Sequence, residues 1–167
     1  MTHGHQMIIA CPNCQGLNSY QTFKSGNTFD ATFWTDGKLE APMLQEPPFV
    51  AKCSLCHKCF WLADALEIGS YYPWNDVDEE VSVPEAWKQA AEIIEPEESD
   101  FYRLLQGGLA KDQDQEKTLR ILTWWRTNDL FREELPAKIE DDPDLWPVFK
   151  MNLEALSDLL NDKDVIA

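Results

Sequence analysis

The chain has 167 residues, a formal charge of −16 and 44% hydrophobic residues, among them seven Trp and eight Phe. That apolar and aromatic content belongs to a globular protein rather than a disordered one, and the length suits one domain or two small ones. So negative a chain lacks the basic footprint of a nucleic-acid or anionic-membrane binder, and a partner with a basic surface suits it better.

The acidity is uneven. Residues 1–70 carry four Lys/Arg against six Asp/Glu, whereas residues 71–167 carry ten against twenty-four, a net −14. In the first stretch Met7-Ile8-Ile9-Ala10 is too short for a signal or membrane-spanning segment and runs straight into Cys11, so a cytoplasmic location is expected. His3 and His5 sit in a start that reads as floppy, and chelation of copper or nickel there is taken as incidental.

Short strands joined by turns follow. Ile8-Ile9-Ala10 leads into Cys11-Pro12-Asn13-Cys14, and Tyr20-Gln21-Thr22-Phe23 supplies a returning strand. Residues 29–35, then Asp36-Gly37, then Lys38-Leu39-Glu40 have the alternation and turn dipeptide of a β-hairpin. Phe29, Ala31 and Phe33 form one face of it, predicted to pack on the core or on the helical half, with Trp34 pointing the other way. Pro42, Pro47 and Pro48 break regularity before Phe49-Val50-Ala51-Lys52 delivers the chain to Cys53-Ser54-Leu55-Cys56, and Phe60-Trp61-Leu62 carries it away.

Residues 69–81 have no periodicity and read as a linker. Beyond them the pattern turns helical. Ser82 and Glu85 have capping-box spacing with Pro84 between, which predicts a helix to about Ile94. Pro96 opens a second helix, ended by Gly107-Gly108. A third spans about Gln113 to Asn128 with an apolar stripe of Leu119, Ile121, Leu122 and Trp125. A fourth starts near Leu145 with Phe149, Leu153, Leu156, Leu159 and Leu160 on its apolar face. The expected fold class is α+β: an antiparallel β unit over residues 1–70, then an acidic domain of about four helices over residues 71–167.

Five cysteines in two clusters, none after Cys59, suit metal ligation in a reducing compartment better than a disulfide framework. Two Cys-x-x-Cys turns present four thiolates that can close a tetrahedral shell around one zinc ion, while following backbone amides donate to the sulfurs and offset their charge. With Cys11-Pro12-Asn13-Cys14 and Cys53-Ser54-Leu55-Cys56 each opening a turn between strands, the first 70 residues resemble the zinc-ribbon family. The resemblance implies a structural zinc held by Cys11, Cys14, Cys53 and Cys56 and implies nothing specific about function. Two departures stand out. The interval from Cys14 to Cys53 is long for a ribbon, making residues 29–40 an inserted element, and Gln15 and His57 occupy positions where ribbon knuckles often have Gly.

The alternatives at this site are reduced core cysteines without metal, or a ligand set that recruits Cys59 or His57. Cys59 itself reads either as a small buried hydrophobe or as a spare redox-responsive thiol. No catalytic constellation accompanies the four cysteines: a closed shell leaves no coordination position for water, three histidines supply no convincing nucleophile–base pair, and no phosphate-binding glycine loop is present. Neither an enzyme nor a small-molecule substrate is expected. Trp124, Arg126 and Arg132 form the remaining candidate surface, an aromatic and basic anchor for a partner if open, or a core tryptophan with paired arginines if not.

Three functions remain. The first is a non-enzymatic, zinc-binding interaction or adaptor protein, the second a thiol-based redox or zinc-availability sensor. The third is a nucleic-acid-binding regulator that would rely on Lys24, Lys38, Lys52 and Lys58 and work against the acidic half.

Overall fold

The computed structural model describes residues 1–73, 82–132 and 139–161 and is a mixed α+β structure. In chain order its strands are β1 (Thr2–Ala10), β2 (Leu17–Ser25), β3 (Thr32–Phe33), β4 (Leu39–Glu40), β5 (Val50–Lys52), β6 (Cys59–Trp61), β7 (Leu66–Tyr71) and β8 (Ala91–Glu92). The helices are α1 (Glu85–Lys88), α2 (Glu98–Gly107), α3 (Gln113–Asp129) and α4 (Leu145–Asn161). The chain divides into two compact units, Met1–Pro96 and Glu97–Ala167. Among the described residues no helix is long and apolar enough to cross a membrane.

A four-stranded sheet in the order β7-β1-β2-β8 builds the first unit, with β8 parallel to β2 and the other pairs antiparallel. The long β1–β2 hairpin begins at Thr2, so His3 and His5 lie in a strand and not in a loose tail. The register slips between His3 and Gln6, and side chains fill in for the lost ladder there: the Thr22 hydroxyl donates to the His5 carbonyl at 2.8 Å and the Gln21 amide to the Gly4 carbonyl at 3.0 Å.

Alternation along β1 gives the sheet two different faces. On one, Ile8 lies across from Ser19 and Gly69. Trp87 of α1 packs so closely on Gly69 that a β-carbon there would meet its ring at 2.3 Å. On the other face Ile9 lies across from Asn18 and Glu67, with Ile68 as the extra bulged residue, and joins a core with Cys11, Ala51, Cys53 and Phe60.

The helix expected from Ser82 to Ile94 is a single turn. Residues 91–94 serve as a sheet edge instead: Ile93 N donates to Ser19 O at 2.9 Å, and Ile94 exchanges two 2.9 Å hydrogen bonds with Lys52. Two successive isoleucines before Pro96 favour extended backbone, and unpaired main-chain groups on β2 and β5 outweigh the local capping signal. The first unit therefore continues to Pro96. Of the stretch 69–81 read as a linker, Gly69–Tyr71 complete β7, and residues 74–81 lie outside the described residues.

β3 and β4 form the small hairpin read from Asp36-Gly37, with Gly37 at φ 83°. Its apolar face does not pack as expected: Phe29 is 72% and Phe33 76% exposed. Strands of two residues pair only with each other, and Trp34 supplies the local anchor by donating its indole N–H to Glu40 at 3.0 Å.

In the second unit α2 starts at a Glu97/Asp100 capping box and stops at Gly108, whose left-handed φ of 69° explains why glycine follows the helix. Asp112 caps α3 by accepting from Gln115 N. Phe101, Leu119, Phe149 and Leu156 are buried, and so are Thr123 and Thr127 in the C-terminal half of α3, outside the apolar stripe read from the sequence. Threonine at i and i+4 fits because each hydroxyl donates back to a carbonyl one turn earlier, at 2.7 and 2.9 Å, and Thr127 also meets the Tyr102 hydroxyl at 3.0 Å. Asn152 of α4 is also buried and brackets Arg120, donating to its carbonyl at 3.0 Å and accepting from its guanidinium at 3.3 Å.

Leu119 is 1% exposed and helix α3 contacts both α2 and α4. Leu119→Ala is therefore expected to cost about 2–5 kcal/mol of unfolding free energy, measured by urea titration of helical circular dichroism.

Candidate metal centre

The β1–β2 and β5–β6 hairpins each turn through one Cys-x-x-Cys pair, and the two turns have the same backbone. Cys11 N donates to Gly16 O at 3.0 Å and Gln15 N to Cys11 O at 2.8 Å; Cys53 N donates to Lys58 O at 3.0 Å and His57 N to Cys53 O at 3.0 Å. Gln15 and His57 take φ values of 59° and 56°. The left-handed residue that each turn requires is thus supplied without glycine, at a modest conformational cost that the two backbone hydrogen bonds offset.

The turns face each other. Sγ atoms of Cys11, Cys14, Cys53 and Cys56 all lie within 4.8 Å of one another, with Cys14–Cys53 at 3.7 Å and Cys11–Cys56 at 3.9 Å. A tetrahedral shell with metal–sulfur bonds of about 2.3 Å has sulfur–sulfur edges of about 3.8 Å. The four cysteines can accordingly hold one metal ion. Cys11 and Cys53 are fully buried, Cys56 is half-buried and Cys14 exposed, so the centre has an inner and an outer pair of sulfurs.

The inner sulfurs receive most of the donors. Asn13 N points at Cys11 Sγ at 3.4 Å, while Leu55 N, Cys56 N and the Asn18 side-chain amide point at Cys53 Sγ at 3.4, 3.5 and 3.4 Å. Burial opposes ionisation of Cys53, but the Cys56 and Leu55 amides together with Asn18 outweigh it and hold the thiol down at about 6. At Cys14 the balance is reversed. The Gly16 amide favours the thiolate, yet desolvation and the sulfurs of Cys56, Cys53 and Cys11 push it up to about 12.

Asn18 is the residue that the motif reading missed. It is 0% exposed on β2 and uses every polar atom across the two turns: its amide donates to Gly16 O at 3.1 Å and to Cys53 Sγ, and its oxygen accepts from Ser54 N at 2.9 Å and the Ser54 hydroxyl at 2.8 Å. One side chain thus fixes the first turn to the second. An asparagine four positions after Cys14, in a strand where that residue type is unfavourable, is the available sequence signal.

The other sequence candidates fall elsewhere. His57 is exposed at the end of its turn, and Cys59 is half-buried on β6 opposite Lys52; neither belongs to the four-sulfur group. In the second unit Trp124 is half-buried, Arg132 pairs with Asp129 at 2.7 Å with its side chain 8% exposed, and Arg126 reaches the same carboxylate group at 3.9 Å. No protein-family model, curated protein or solved structure matches the chain.

Because Asn18 both orients the turns and donates to a ligand sulfur, Asn18→Ala is expected to weaken metal binding by roughly 10–100-fold in competition with a chromophoric chelator. Unchanged affinity would mean that the cysteines alone set the geometry.

Proposed function

We propose that this chain is a non-enzymatic interaction or adaptor protein whose first unit is a zinc ribbon stapled by a structural zinc on Cys11, Cys14, Cys53 and Cys56. The single observation that carries the reading is the convergence of four sulfurs at the spacing of one tetrahedral shell. Four thiolates in that geometry suit zinc, which brings no redox chemistry, and they occupy every position of a four-coordinate ion, leaving none for a reacting water. The paired hairpin turns support the ribbon assignment. The ion would add folding energy directly, typically about 10–16 kcal/mol in small zinc modules.

With chemistry set aside, the remaining features point to contact with other molecules. The −16 charge favours a basic protein partner and opposes nucleic acid and anionic membrane. Two of the four lysines available for nucleic acid are already engaged: Lys38 pairs with Glu40 at 2.9 Å and Lys24 lies 4.6 Å from the centre of the Tyr72 ring. A second reading, a sensor of zinc or oxidant, draws on the exposure of Cys14, whose sulfur a chelator or peroxide would reach first.

Elemental analysis of reduced protein is expected to find one zinc per chain, retained in Cys59→Ser and lost from each serine variant of the four ligand cysteines. The intact protein should capture a partner that survives moderate salt, and Cys56→Ser should lose it along with the metal. Zinc that exchanges freely or leaves on mild oxidation while the fold persists would favour the sensor.

A further inference from the structure

The first unit carries a cavity of about 410 Å³ separate from the sulfur cluster. Buried Ile9 and Trp61 line it together with half-buried Tyr20, and exposed Phe49 and Pro47 form its rim. At its edge stands one carboxylate, Glu67. The strand register explains the grouping: Glu67 lies across from Ile9, and Tyr20 lies across from Met7, two residues before Ile9 and on the same face of the sheet.

Three aromatic residues and one acid among aliphatic and proline residues define a particular chemistry. Ring faces are electronegative and attract cations, most strongly where water is excluded. Glu67 adds a full negative charge, and among the described residues no Lys or Arg pairs with it. Its field is felt inside the groove: burial first, and the Glu67 charge second, raise the Tyr20 hydroxyl above the ordinary phenol value. A phosphate or carboxylate would be repelled here and throughout a chain of net charge −16. The volume is near the lower end of cavities that enclose small ligands, about 300–1,000 Å³, which suits one long side chain with its neighbours.

We propose that this groove binds an arginine or lysine side chain presented by a partner polypeptide, the aliphatic stem lying along Ile9 and Pro47 and the charged head between the aromatic rings and Glu67. The proposal rests on the interaction reading above and names the contact that reading lacks. Arginine and lysine suit such a site because each joins an apolar stem to a cationic head.

The test uses the full chain as purified and three blocked pentapeptides, Gly-Ser-Xaa-Ser-Gly with arginine, lysine or norleucine at Xaa, titrated while amide and indole resonances are followed by NMR. Arginine and lysine peptides should shift Trp61, Leu62 and Ala65 and bind at least about tenfold more tightly than norleucine. Glu67→Gln should remove about tenfold of the cationic affinity and leave norleucine unchanged. Equal binding of norleucine, shifts confined to other surfaces, or no shift with any peptide would overturn the assignment. A partner protein captured equally well by Glu67→Gln would overturn the groove while sparing the adaptor reading. Cation binding at the groove in a protein that captures no partner would uphold the groove and remove the adaptor.

Discussion

Four sulfur atoms brought within 4.8 Å of one another from positions 11, 14, 53 and 56 form the constraint around which the first unit is arranged. Without an ion, burying two thiols and crowding four polarizable atoms offers little stabilisation, and loop closure across almost forty residues is entropically costly. With an ion, the same crowding becomes the source of folding energy. The rest of the unit positions those sulfurs. Each cysteine pair sits where a hairpin must turn, so the ladders β1–β2 and β5–β6 fix the direction in which the sulfurs leave the backbone.

The two hairpins are tied together by few contacts, each of high specificity. Asn18 spans the turns, Ile94 pairs with Lys52, and Ile93 reaches Ser19, so the short edge at residues 91–94 holds both the main sheet and the second hairpin. Core burial then comes from Ile9, Ala51 and Phe60 around the inner cysteines. The same face of the sheet continues from that core into the groove through Tyr20 and Glu67, and Trp61 of β6 also lines that groove. A single strand pair thus contributes to the metal centre through Asn18 and to the groove through Tyr20, two residues apart on one side of β2. In the second unit specificity is handled differently, with buried Thr123, Thr127 and Asn152 satisfied by hydrogen bonds where apolar side chains would fill volume alone.

Residues whose role is encoded locally were legible in the sequence. The Cys-x-x-Cys turns announce their own spacing, Asp36-Gly37 announces its hairpin, Gly107-Gly108 stops the second helix, and the third spans Gln113–Asp129, within a residue of its predicted bounds. What local reasoning could not reach depends on contacts between distant segments. Ser82 and Glu85 signal a helix, but residues 91–94 find partners on β2 and β5 that no local window contains. The α3 stripe contains buried Leu119 but omits Thr123 and Thr127, because periodicity counts apolar residues, and a threonine that returns its hydroxyl to the helix backbone is internally satisfied and packs like one. Phe29 and Phe33 alternate as a buried face would, yet alternation alone does not supply an opposing surface. Asn18 escaped notice because its four partners come from both turns and are adjacent only after folding.

The account stands on one ion held by four sulfurs with no vacant position. X-ray absorption at the metal edge of the reduced, purified protein tests that most directly. Four sulfur scatterers at about 2.3 Å around a single zinc, with no nitrogen or oxygen neighbour, is the predicted result. A shell containing fewer sulfurs and a light scatterer at about 2.0–2.1 Å would contradict it, as would protein that binds no metal at all.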